Sequence, residues 1–88
     1  MESVNVTITC KHGLHLRLAG AIAKVVQTYD AKVLLSCNGC RFVDGGSVMQ
    51  LLILGAPEGA TVQVNAEGRD ERAAVQAVSE ILEHGAGI

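Results

Sequence analysis

"VNVTITCKHGLHLRLAGAIAKVVQTYD", residues 4–30, changes its hydrophobic period once, and that change decides the fold. Val4, Val6 and Ile8 alternate with Asn5, Thr7 and Thr9, the period of two expected of a strand with one buried face. Lys11-His12-Gly13 breaks the alternation. From Leu18 the apolar residues fall at Leu18, Ile22, Val25, Val26 and Tyr29, one face of a helix, and Ala19, Ala21 and Ala23 favour the same conformation. Asp30 closes the segment. A strand ending near Thr9 and a helix starting near Leu16 put His15 at the helix N-cap or first turn.

The remaining chain alternates in the same way. "KVLLSC" (32–37) and "CRFVD" (40–44) flank Asn38-Gly39, the strongest short-range signal for a two-residue hairpin. After the loop Asp44-Gly45-Gly46, Ser47 precedes "VMQLLIL", with Gln50 three residues on. That spacing predicts a capping box, in which Gln50 reaches back to the Ser47 amide. This second helix ends by Gly55, and Ala56-Pro57-Glu58-Gly59 reads as a turn with proline in its favoured second place. Val62, Val64 and Ala66 alternate with Gln63 and Asn65 as another strand. Asp70 is positioned to cap a last helix carrying Ala74, Val75, Val78, Ile81 and Leu82. Residues 84–88 are expected to fray.

The predicted order is β-α-β-β-α-β-α over a single domain, 1–88. One polar face per strand implies α+β architecture: a two-layer open-faced β-sandwich, its four-stranded antiparallel sheet covered by three helices on one face. The first crossover is long enough for the fourth strand to insert, as in a split βαβ fold.

The 88 residues are 49% hydrophobic but hold one Phe, one Tyr and no Trp, so Val, Leu, Ile and Ala must build the core. A chain of this size buries a little over ~60% of its unfolded surface, enough for one modest core. A net charge of −2 argues against a nucleic-acid binder. "MESVNVTITC" lacks the basic start of a signal peptide, and no apolar run approaches the ~18 residues of a membrane span, so a cytoplasmic protein is expected. Three cysteines are an odd number, which disfavours a disulfide framework.

His15 carries the functional reading. The amides of Leu16, Arg17 and Leu18, unpaired at a helix start, make an anion site with the helix dipole. The same field disfavours protonated imidazole, keeping the ring nucleophilic near neutrality. Arg17 adds a guanidinium suited to phosphate oxygens. A neutral nitrogen beside such donors is what a phosphohistidine requires. A plain cap or surface histidine is the competing reading of these residues alone.

Gly13-Leu14-His15, Arg17 and Ala19 match the signature Gly-Leu-His-x-Arg-Pro-Ala, and the chain resembles the HPr family, histidine-containing phosphocarriers of the bacterial phosphoenolpyruvate-dependent phosphotransferase system. The likeness extends to Asn38-Gly39, Ser47-Val48-Met49, Leu54-Gly55, Ala66-Glu67-Gly68 and Asp70-Glu71. Eleven residues between "VLL" and "SV" resemble the nitrogen-regulatory branch, NPr. The resemblance implies that His15 accepts a phosphoryl group from enzyme I and passes it to an EIIA-type domain, with Arg17 assisting. It further implies a carrier with no small-molecule substrate of its own; no cofactor or metal is expected, charge and hydropathy leave no nucleic-acid or membrane partner, and a monomer is the default. Partner contacts would come from Leu16, Gly20, Lys24, Val48, Met49, Leu52 and Gly55. One departure stands out: Leu18 replaces the family proline, restoring an N–H at the helix start. Leu16 is also bulkier than the usual alanine or threonine.

Ser47 aligns with a serine that a dedicated kinase and phosphorylase act on in some members, which supports an alternative reading as a regulatory interaction protein. The capping box alone explains that serine. On the second helix Leu51 and Leu54 are expected inward, with Val48, Met49 and Leu52 forming an exposed apolar patch.

Cys37-Asn38-Gly39-Cys40 offers a rival reading as a metal or redox site, to which Cys10, His12 and His15 of "CKHGLH" add a thiol and two imidazoles. A redox C-x-x-C opens a helix, whereas this one flanks a hairpin turn, and a metal would need ligands from across another strand. His84 reads as a partner for the dipole of the last helix.

Overall fold

The computed structural model describes residues 1–9 and 13–84. Along the chain run β1 (Glu2–Thr7), α1 (Leu16–Thr28), β2 (Ala31–Cys37), β3 (Val43–Asp44), α2 (Val48–Leu54), β4 (Thr61–Gly68) and α3 (Glu71–His84). The four strands form one antiparallel sheet in the order β1-β4-β2-β3, so β4 does insert between the first two strands. Registers such as Val6 opposite Val62 and Cys37 opposite Val62 bring the apolar residues of three strands onto one face. That face packs on the helices through Ile8, Val33, Leu35, Val62, Val64, Leu18, Ile22, Leu51, Val78 and Leu82, all nearly or wholly buried. The opposite face is polar; there Ser3 Oγ donates to Asn65 Oδ1 at 2.7 Å and Gln63 Nε2 donates to Ser3 Oγ at 3.2 Å. Among the described residues no helix is long and apolar enough to cross a membrane.

Several local expectations are corrected. β1 stops at Thr7, not Thr9, though Ile8 still exchanges bonds with the next layer of chain: its N–H donates to Ala60 O at 2.9 Å, and Gly59 N–H donates to Ile8 O at 2.8 Å. The third strand spans only Val43–Asp44 instead of 40–44. Asn38 and Gly39 both have positive φ, +54° and +78°, and Cys40 N–H donates to Cys37 O at 3.0 Å, which is a type I′ turn. An unbroken ladder from that turn would set Leu35 opposite Phe42. Leu35 instead faces Val43, so one residue of the 41–42 stretch is extra, a bulge that shortens the edge strand.

Two capping expectations fail in an instructive way. Ser47 Oγ accepts from Gln50 N at 3.2 Å as predicted, but the side-chain Oε1 of Gln50 accepts from the Asp44 amide at 2.9 Å, so only half the capping box forms. Asp70 gives the first carbonyl of α3 to Ala74 N, yet its carboxylate accepts from Asp30 N at 2.8 Å while Asp70 N–H donates to Asp30 O at 3.0 Å. That exchange ties the α1–β2 turn to the β4–α3 turn. The turn after α2 is also displaced: Ala60 N–H donates to Pro57 O at 3.1 Å, so proline opens it and Gly59, at φ +87°, supplies the positive-φ position.

All five apolar residues expected inward on α3 are buried. On α2 only Leu51 is fully buried, whereas Ile53 is 72% exposed. Leu51→Ala is therefore expected to cost about 2–5 kcal/mol, and Ile53→Ala less than about 0.5 kcal/mol. Urea denaturation of the two variants checks this, and equal losses would contradict the packing described.

Candidate functional site

His15 has extended backbone angles, φ −99° and ψ 178°, and is the N-cap of the 13-residue α1. The first bond of the helix runs from Ala19 N–H to His15 O at 2.8 Å. The amides of Leu16, Arg17 and Leu18 precede that ladder and lie at the positive end of the helix dipole, where an anion is favoured. The His15 side chain makes no cap hydrogen bond and is half-buried.

The cap is positioned by the two residues before it. Gly13 sits at φ +66°, and a Cβ there would stand 2.5 Å from Ala56 O and 2.8 Å from Pro57 Cα, so only glycine fits. Leu14 N–H donates to Ala56 O at 2.8 Å, and its side chain is buried. On the other side of His15, Leu18 is buried completely. With Leu14 and Leu18 both inward, the helical spacing turns Leu16 and Arg17 outward, and both are exposed.

A second tie sets how α1 lies on α2. Gln27 Nε2 donates to Gly46 O at 3.0 Å just before α2 begins, while Leu14 is bound to Ala56 just after α2 ends. The helices are therefore antiparallel, and the His15 end of α1 lies beside the C-terminal end of α2. Gly55, in the left-handed region at φ +58°, caps α2 by donating to Leu51 O at 3.3 Å.

The expected docking residues fall on these two helices. Leu16 is 66% exposed, and Gly20 and Lys24 follow it at helical spacing on the same stripe. Met49 and Leu52 are exposed on α2. Val48 is corrected: it is half-buried against the core rather than exposed, and Leu54 is half-buried rather than fully inward. Ile53 belongs to the exposed apolar face and escapes the sequence pattern, because a seven-residue helix is too short for its period to separate faces. Ala56 and Pro57, which back the Gly13 turn, escape it too; no short-range pattern links residues so far apart. Ser47 stands as the α2 N-cap. His84 is exposed in the last turn of α3. Cys10 and His12 lie outside the described residues, and among the described ones no three metal-ligating side chains gather.

The chain matches the family model described as the PTS HPr component phosphorylation site over residues 2–84. It is 35% identical over 78 residues to the phosphocarrier protein HPr of Xylella fastidiosa (strain Temecula1), covering 89% of this chain and 86% of that one. The phosphocarrier protein HPr of Pseudomonas aeruginosa is 33% identical over 82 residues, covering 93% and 91%. Among solved structures, an HPr crystal structure from Thermoanaerobacter tengcongensis superposes with a TM-score of 0.91 at 28% identity, over 100% of this chain and 98% of the other.

The two glycines of the site segment should respond to alanine in opposite directions. Gly13→Ala is expected to destabilise the fold by at least about 1–2 kcal/mol through its left-handed backbone alone, and to speed amide exchange at Leu14. A Cβ at Gly20 meets nothing within 4 Å, so Gly20→Ala in mid-helix is expected to stabilise by about 0.5–1 kcal/mol. Thermal unfolding with amide exchange reads both, and a neutral Gly13→Ala would contradict the docking of the turn on Ala56.

Proposed function

The chain belongs to the HPr family, the phosphocarriers of the phosphoenolpyruvate-dependent phosphotransferase system, and we propose that His15 is its phosphoryl acceptor, loaded by enzyme I and unloaded by an EIIA-type domain. The observation that carries this reading is the place of His15: a half-exposed N-cap at the positive end of a 13-residue helix, set between two buried leucines. An imidazole nitrogen attacks phosphorus, the bond from phosphorus to the donor breaks, and the oxygens on phosphorus take their negative charge toward the amides of Leu16, Arg17 and Leu18. Handing on the group reverses the roles. Arg17, exposed two residues further on, supplies a mobile guanidinium for those oxygens.

The protein thus works as a carrier, not as an enzyme with a small-molecule substrate of its own. Its docking face is the outward stripe Leu16, Gly20 and Lys24 with Met49, Leu52 and Ile53, apolar at its centre and basic beside it. Exposed apolar groups on a short helix serve stability poorly and suit a partner surface. The hydroxyl of Ser47 is accounted for by its bond from Gln50 N.

Incubation with phosphoenolpyruvate and enzyme I is expected to place acid-labile phosphate on the protein, and His15→Ala to abolish it. Labelling that persists in His15→Ala refutes the assignment. Arg17→Ala is expected to slow transfer by about ten- to a hundredfold, the value of one charge-assisted hydrogen bond of about 1.5–3 kcal/mol made in the transition state. Single-turnover labelling kinetics measure it.

A further inference from the structure

The Cys37-Asn38-Gly39-Cys40 turn plays no part in the carrier function proposed above, yet it brings two free thiols to the two ends of one tight turn. The type I′ turn sets Cys37 and Cys40 at its two ends, joined by Cys40 N–H donating to Cys37 O at 3.0 Å. The ends of a β-turn have Cα atoms less than about 7 Å apart, a range that overlaps the Cα separations of disulfides, about 4.4–6.8 Å. Both thiols are free, and they differ in access: Cys37 is buried and Cys40 exposed. Ser36 Oγ donates to Cys40 O, holding the second cysteine against the strand that bears the first. From these positions we propose that Cys37 and Cys40 form a reversible intramolecular disulfide when the protein meets hydrogen peroxide, with Cys40 the thiol oxidised first and Cys37 the resolving thiol.

The chemistry closes without a further reactant. The Cys40 sulfur attacks one peroxide oxygen, the O–O bond breaks, and hydroxide leaves with the thiol proton as water, giving a sulfenic acid. The Cys37 sulfur then attacks the sulfenic sulfur, the S–O bond breaks, and a second water leaves with the Cys37 proton. The sulfurs lose two electrons in all, and one peroxide becomes two waters. Burial, and after it the neighbouring Cys40, push the Cys37 thiol above its usual range, which suits it to the second step rather than the first. The four-residue ring constrains the unfolded chain little, so the bond remains easy to reduce.

Asn38 N–H donates to Thr61 O at 3.2 Å, and the segment before Thr61 carries Ala60, bound to Ile8, and Ala56, bound to Leu14. The dithiol therefore sits at the end of the sheet that holds the His15 turn. An exposed cysteine alone climbs the oxidation ladder irreversibly or couples to a second molecule; a buried partner across the turn intercepts it.

The test uses the Cys10→Ser protein, so that only this pair reacts. After brief hydrogen peroxide treatment the protein is denatured in N-ethylmaleimide and digested with trypsin, which releases residues 33–41 with both cysteines in one peptide. The expected product is that peptide lighter by two hydrogens and free of maleimide, restored to a doubly alkylated peptide by prior dithiothreitol. In Cys37→Ser, dimedone is expected to trap the sulfenic acid on Cys40; Cys37→Ala serves if the serine variant does not fold. Double alkylation after peroxide, sulfinic acid on Cys40 with Cys37 alkylated, or a disulfide only between two molecules would each overturn the proposal. None of these outcomes bears on phosphate labelling at His15, so the two readings fail separately.

Discussion

The bond from Leu14 N–H to Ala56 O, 2.8 Å long, fastens the start of α1 to the turn that follows α2, and the geometry of the site descends from it. A helix start has no ladder of its own for its first amides and frays unless something outside the helix holds it. Here the hold comes from a backbone pair, from Gly13 pressed where no side chain fits, and from Leu14 sunk in the core. Once Leu14 and Leu18 point inward, the angular spacing of the helix leaves His15, Leu16 and Arg17 little choice of direction. The position of His15 is thus fixed by what its neighbours bury.

The same one-sided burial explains which parts of the fold can be read from the chain. β1, α1, β4 and α3 each press one face on the core, so their periods of two and 3.6 are written in Val, Leu, Ile and Ala, and every apolar residue assigned inward on α3 is buried. The edge strand is not legible in this way. "CRFVD" has the residue types of a strand, but its register is decided by the type I′ turn and a bulge, and the bulge takes residues 41–42 out of the ladder. Gln50 and Asp70 mislead for a related reason. Each has a local amide in reach and a distant one, and the folded chain offers the distant one, at Asp44 and at Asp30. Local patterns name candidate partners; tertiary closure selects between them.

α2 shows how little of a helix can be spent on the core. Seven residues are too few to hold a helix in water, and only Leu51 is wholly buried. The ends make up the difference: the hydroxyl of Ser47 takes the Gln50 amide, and Gly55 in the left-handed region returns its N–H to Leu51 O. Caps at both ends free Met49, Leu52 and Ile53 from structural duty. That division of labour is invisible to hydropathy alone, which reads "VMQLLIL" as almost uniformly apolar and cannot tell Val48 from Ile53.

Leu18 is where the chain departs from the family signature, and its burial gives the departure a physical sense. A proline at this place stiffens the backbone, which is worth about 0.4–1 kcal/mol through the unfolded state, and it offers no N–H. Leucine forgoes that stiffness, but its side chain is fully buried, and full burial of a leucine is worth about 1.5–3 kcal/mol. Burial outweighs the lost stiffness wherever the core has room for the longer side chain. The start of α1 is then held by packing in place of a restricted φ. The substitution also leaves three amides, not two, at the helix end that His15 caps. A looser backbone and a richer set of donors pull the geometry of this helix start in opposite directions, and because Leu14 and Leu18 both anchor in the same core, the donors gain while the backbone loses little.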